Sequence, residues 1–158
     1  MLSLIYLGSA FLVAFIFWAA SPTRRTARGF LETLLASLFF FCVGLQGLLA
    51  AYAHTFRAAE TAKLIGWAPG SPFQFEIGMA NLALGIVGVL CLKFRGLFWL
   101  ATAIFNAVLL WGCAYGHVVQ QRLGDSAPYN TGVFLWVGDV VVPSLILGLS
   151  CLLLLERD

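Results

Sequence analysis

Five apolar runs, each about twenty residues long and separated by short polar breaks, dominate the sequence. They lie at 2–20, 30–53, 75–92, 97–118 and 133–155. A helix rising about 1.5 Å per residue needs about 17–25 such residues to cross the hydrocarbon core of a bilayer. Lipid offers no partner to an unpaired backbone group, so a crossing segment is a helix or part of a closed barrel. Barrel strands alternate in polarity, and runs such as LASLFFFCVGL do not. The expectation is an all-α, polytopic membrane helix bundle with five transmembrane helices, forming a single integral membrane domain over 1–158.

Composition closes off the alternatives. The chain is 61% hydrophobic and 10% charged, whereas soluble domains are about 25% charged. That excludes a soluble globular domain, a disordered chain, a collagen and a small disulfide scaffold. A net charge of +2 gives no basis for a nucleic-acid partner. The partner implied is the lipid bilayer. The four cysteines, Cys42, Cys91, Cys113 and Cys151, all fall in apolar runs without a CxxC pair and read as small hydrophobes.

Orientation follows from the cations. Arg24, Arg25 and Arg28 come after the first apolar run, which argues against a signal peptide and for a retained first helix. One side of the membrane receives Arg24, Arg25, Arg28, Lys93, Arg95 and Arg157. The other receives Arg57, Lys63 and Arg122. The richer side is assigned to the cytoplasm of a bacterial inner membrane, with the N-terminus outside and the C-terminus inside. All four tyrosines, with Trp67 and Trp136, then fall at the outer interface, and Trp18 and Trp99 at the inner one. The segment 54–65 holds good helix formers and an Arg57/Glu60/Lys63 ladder, and is expected to prolong the second helix. Pro69, Gly70 and Pro72 then turn the chain back.

Small residues mark packing faces. Gly78, Asn81, Gly85 and Gly88 share one face of the third helix, Gly44 and Gly47 fall on the second, and Gly112 and Gly116 form a GxxxG on the fourth.

Ionisable groups inside apolar helices carry the functional expectation, because burying charge in lipid is costly. Glu76 opens the third helix, His117 closes the fourth, and Asp139 lies near the start of the fifth. Their depths differ by only about 10 Å, and His54 ends the second helix at a similar level. Thr102, Asn106, Cys113 and His117 form a polar stripe on the fourth helix that should face inward. Pro143 lacks the N–H that would bond the Asp139 carbonyl, so a kink is expected there. The candidate pocket is therefore Glu76, His117, Asp139, His54, Asn81 and Asn106. Imidazole and carboxylate together suit a divalent metal, with Glu76, His117 and Asp139 as candidate ligands, although no HxxxH or ExxH spacing is present. The same groups could relay protons.

Each residue also has a plainer reading. Glu76 can stabilise a helix N-terminus, His54 can sit in interfacial water, and His117 can bond a carbonyl. Asn81, Asn106 and Gln46 can be interhelical hydrogen-bond glue. Asp125 and Asn130 read as turn and cap residues, and Glu32 as a cap.

The segments PGSPFQFEIGMANLALG, FWLATAIFNAVLLWGCAYGHVVQQRLGDSAPYNTG and DVVVP resemble a family of small, uncharacterised bacterial inner-membrane proteins, over about residues 65–143. The resemblance implies an architecture and no activity. It groups Glu76, Asn81, His117 and the GDSAPYNTG loop into one pattern.

Three functions remain open. The first is an outer-leaflet polar pocket that binds or passes a small solute or ion, metal or proton. The second is a membrane-embedded enzyme using Glu76 and His117 as an acid–base pair on a lipid-like or quinone-like substrate. The third is a non-catalytic subunit, in a homo-oligomer or a larger membrane complex.

Overall fold

The computed structural model describes residues 2–155; Arg157, counted in the charge bias, lies outside them. The described residues form six helices and no strand. These are α1 (Leu2–Ala20), α2 (Ala27–Phe56), α3 (Ala58–Ile65), α4 (Phe73–Leu90), α5 (Leu97–Arg122) and α6 (Phe134–Leu155). All but α3 are long and apolar enough to cross a membrane, which is the signature of an integral membrane protein.

Capping sets the first helix ends. The Trp18 indole donates to the Thr26 carbonyl, and Arg25 donates through Nε and Nη2 to the Ala19 carbonyl. The Thr26 hydroxyl accepts from the Gly29 amide, which starts α2 at Ala27. Farther on, Gly96 takes φ 68° in the turn between α4 and α5, a conformation that favours glycine.

The second helix is the centre of the bundle. In its most apolar window 56% is buried, against 17% for α1. It contacts α1, α4 and the C-terminal part of α6, while α5 packs chiefly on α6. Leu35, Leu38, Phe39 and Val43 of α2 form the core with Leu84, Ala103 and Ile146. Trp99 belongs to this core rather than to an interfacial belt. It is 4% exposed, donates to the Cys91 carbonyl at 2.8 Å, packs on Phe39 and lies under the Arg95 guanidinium.

Glycine contacts are unequal. A Cβ on Gly85 would stand 2.7 Å from the Leu48 backbone nitrogen, and one on Gly88 would stand 2.6 Å from that of Gly44. Backbones of α2 and α4 therefore touch along Gly44, Gly47, Gly85 and Gly88. The Gly112/Gly116 pair does not behave as expected for a packing face. Nothing lies within 4 Å of a Cβ at either position, and both face outward with Val108, Trp111 and Tyr115. Spacing alone places two glycines on one face and leaves open which face has a neighbour. Cys151 is likewise exposed, whereas Cys42 and Cys91 are buried.

Two π-helical stretches interrupt the spans, at Phe39–Leu45 in α2 and Phe134–Val141 in α6. The second leads into Pro143. Proline removes the donor that an α-helix would aim at the Asp139 carbonyl, and the local answer is a widened turn ending at Val142.

The expected prolongation of α2 to residue 65 does not form. Arg57 takes φ −126° and ψ 34°, breaking the helix. The Thr61 hydroxyl reaches back to the Ala53 carbonyl at 2.9 Å and holds α3 as a separate helix. Arg57 and Glu60 do pair across the break. The chain leaves α3 through Gly66 at φ 81°. Its end is fully satisfied: Gly66 and Trp67 amides bond Lys63 and Ala62 carbonyls, and Tyr129 and Asn130 reach in for those of Leu64 and Ile65.

Candidate functional site

Asp139 and His117 meet between α5 and α6. His117 Nε2 lies 3.9 Å from Asp139 Oδ2, with side chains 10% and 4% exposed. Among the described residues the Asp139 Oδ2 atom has no hydrogen-bond partner. The His117 Nδ1–H donates to Gln120 Oε1 at 3.2 Å, one turn along the same helix. Cys113 lies one turn back on the same face. Next to Asp139 in α6, Gly138 approaches α1, where a Cβ would stand 3.0 Å from Ser3 Oγ.

The inward stripe on α5 takes the form expected from its spacing. Thr102, Asn106 and His117 are buried, and Cys113 is partly so. The Thr102 hydroxyl is spent on the Phe98 carbonyl of its own helix. Asn106 is 1% exposed, and among the described residues neither its Oδ1 nor its Nδ2 has a partner. It is not interhelical glue, because nothing receives it. Asn81 donates to the Ile77 carbonyl within α4, so it too makes no bridge.

The remaining candidates lie apart. Glu76 is exposed in the first turn of α4, where its charge suits the helix N-terminus. No ion pair joins it to His117 among the described residues. His54 instead bonds Gln74, its Nδ1–H donating to Oε1 at 2.6 Å. The sequence places these groups at one depth, but depth leaves the azimuth of each helix free. Among the described residues no three His, Cys, Asp or Glu side chains converge to hold a metal. The metal set Glu76, His117 and Asp139 is therefore not assembled, and neither is a Glu76–His117 acid–base pair.

Two features have no counterpart in the sequence reading. One is a cavity of about 280 Å³ at the α2–α3 break, whose wall includes His54, Gln46, Arg57 and Glu60. The signal was the Arg57/Glu60 spacing, which suits a helix turn equally well. The other is the complete burial of Asn130, which its reading as a turn and cap residue did not imply. The asparagine side chain accepts from the Ala127 amide and donates to the Ile65 and Asp125 carbonyls, while the Asn130 backbone carbonyl accepts from Gln121 Nε2. Glu32 also does more than cap α2: it pairs with Arg28 at 3.2 Å and with Arg95 at 3.4 Å, tying α2 to the α4–α5 turn.

A bundle of five apolar spans enclosing a buried His–Asp pair defines a small polytopic membrane protein with no soluble catalytic domain among the described residues. Within that class, the chain belongs to the family of unknown function DUF6790, matched over residues 1–158. Membership of an uncharacterised family agrees with the resemblance read over residues 65–143, and the match covers the whole chain. No curated protein and no solved structure matches it.

Proposed function

We propose that this protein binds a proton at Asp139 and His117, within the bilayer, as part of binding or passing a small ion. One observation carries the reading: a buried carboxylate oxygen without a donor faces the free nitrogen of a buried imidazole. With Nδ1–H given to Gln120, neutral His117 turns the lone pair of Nε2 toward Asp139 Oδ2. Two lone pairs facing each other in an apolar interior repel. One proton between them converts that contact into a hydrogen bond, either from a carboxylic acid or from an imidazolium. Buried ionisable pairs of this kind mark proton relays in membrane proteins, and π-helical turns like the one carrying Asp139 recur at functional sites.

The same reading places the protein in a bacterial inner membrane with its N-terminus outside. The Asp139–His117 pair then lies in the outer half of the bilayer. The cation bias of the loops supports that placement.

Infrared difference spectra of the reconstituted protein between acidic and alkaline buffer test the binding step. A carboxyl band that changes with pH and disappears in Asp139→Asn is expected, with a matching imidazole change lost in His117→Ala. A spectrum unaltered by Asp139→Asn overturns it. Passage is tested separately with a pH dye inside vesicles. Leak above that of empty vesicles, slowed by Asp139→Asn, is expected; leak equal to that of empty vesicles restricts the protein to binding.

A further inference from the structure

The cavity at the α2–α3 break is lined by neither Asp139 nor His117 and has the chemistry of a ligand site. It holds about 280 Å³, just under the about 300–1,000 Å³ of pockets that take drug-sized ligands. A head group and its first few carbons fit that space. Its walls are divided. Leu49, Leu64 and Phe134 supply apolar surface, and His54, Gln46 and the Arg57–Glu60 pair supply polar groups. Leu2, Leu49 and Tyr52, which also line it, are among the exposed residues of their spans. Its rim is therefore mixed: apolar at Leu2, Leu49 and Tyr52, and charged at the exposed Arg57 and Glu60.

The polar wall has no net formal charge. Arg57 and Glu60 both line it and are paired with each other, so an anion meets the carboxylate and a cation meets the guanidinium. The His54 Nδ1–H is committed to Gln74, which leaves Nε2 as the ring atom that can bond a ligand. The Gln46 amide can donate and accept. A head that donates one hydrogen bond and accepts another satisfies this set. We propose that the cavity binds a neutral amphiphile with a hydroxyl- and carbonyl-bearing head, its tail leaving between Leu49 and Phe134 toward the bilayer.

The test uses the full chain in phosphatidylcholine nanodiscs with three photoactivatable probes of one chain length: a monoacylglycerol, a fatty acid and an alkyltrimethylammonium. A short-chain, water-soluble glycerol ether competes in a parallel arm. Crosslinks of the monoacylglycerol within residues 46–65 and 129–134 are expected, about tenfold above both charged probes. Loss of those crosslinks in Ala50→Phe, which fills the cavity, is expected with helicity and monodispersity retained. Competition by the short ether assigns the site to the head group, whether it arrives from lipid or from water. Labelling spread evenly over the lipid-facing sides of all spans, or equal for the three heads, overturns the proposal. Should Ala50→Phe fail to fold, Gln46→Leu decides: unchanged head-group preference in that variant overturns it equally.

Discussion

Asn130 makes more specific contacts than any other loop side chain described above, and its removal has a calculable effect. Its amide satisfies the Ile65 and Asp125 carbonyls and the Ala127 amide at once. A net hydrogen bond contributes about 1 kcal/mol, and an orphaned buried partner costs about 1–3 kcal/mol. Asn130→Ala should therefore destabilise the protein by about 2–4 kcal/mol, read by chemical unfolding in detergent. Hydrogen exchange should speed up at Ile65–Trp67 and at 125–131 while the spans stay protected. Gly66 is coupled to it: a Cβ there would meet Asn130 Nδ2 at 2.9 Å, in a backbone already at φ 81°. The motif GDSAPYNTG announced a turn, and nothing local could announce that its asparagine reaches a helix end 65 positions away. Asp139 and His117 were legible because charge in an apolar run is conspicuous. Glu76 was equally conspicuous and proved exposed, since residue type reveals the cost of burial but not whether burial occurs.

At the scale of elements, the α2–α4 seam separates two glycine classes that sequence spacing treats alike. Gly85→Ala forces a methyl against the Leu48 backbone, which cannot yield as a side chain would. Overpacking of this kind costs about 1–3 kcal/mol, and more where backbone must move. Gly112→Ala meets nothing within 4 Å and gains helix propensity, so its effect should lie between neutral and about 1 kcal/mol stabilising. Thermal unfolding of the two variants, side by side, checks the contrast. Equal effects would mean that the two helices do not touch as described. The five spans themselves were plain from hydropathy, because their lengths match the bilayer. The break at Arg57 was not, because helix formers on both sides hide a change of direction set by the Thr61–Ala53 bond. The π turn at Phe39–Leu45 had no signal in FFFCVGL, whereas the one before Pro143 announced itself as a missing donor.

For the whole molecule, the proposed topology, in which all five candidate spans cross, puts the two ends of the chain on opposite sides of the membrane. A cysteine-free background allows a direct check. Ser126→Cys should react with an impermeant thiol reagent on intact cells, and Ser21→Cys only after permeabilisation; the reverse pattern would invert the orientation proposed from the cations. The Glu32 links to Arg28 and Arg95 reinforce the opposite end, but they are partly exposed, and such pairs contribute about 0–1 kcal/mol. Stability is thus expected to follow the glycine seam and the Asn130 clasp far more than salt. The clasp also orders events in time. A ribosome releases the α3 carbonyls of Leu64 and Ile65 long before Tyr129 and Asn130, the residues that bond them. Until the fourth span is threaded and its following loop folds back, the half-made chain carries an unfinished helix end and a cavity open where Tyr129 and Phe134 will close it. Completion of that wall is therefore among the last steps of biogenesis, and a chain stalled after α4 leaves the Leu64 and Ile65 carbonyls of α3 without the partners of the finished fold.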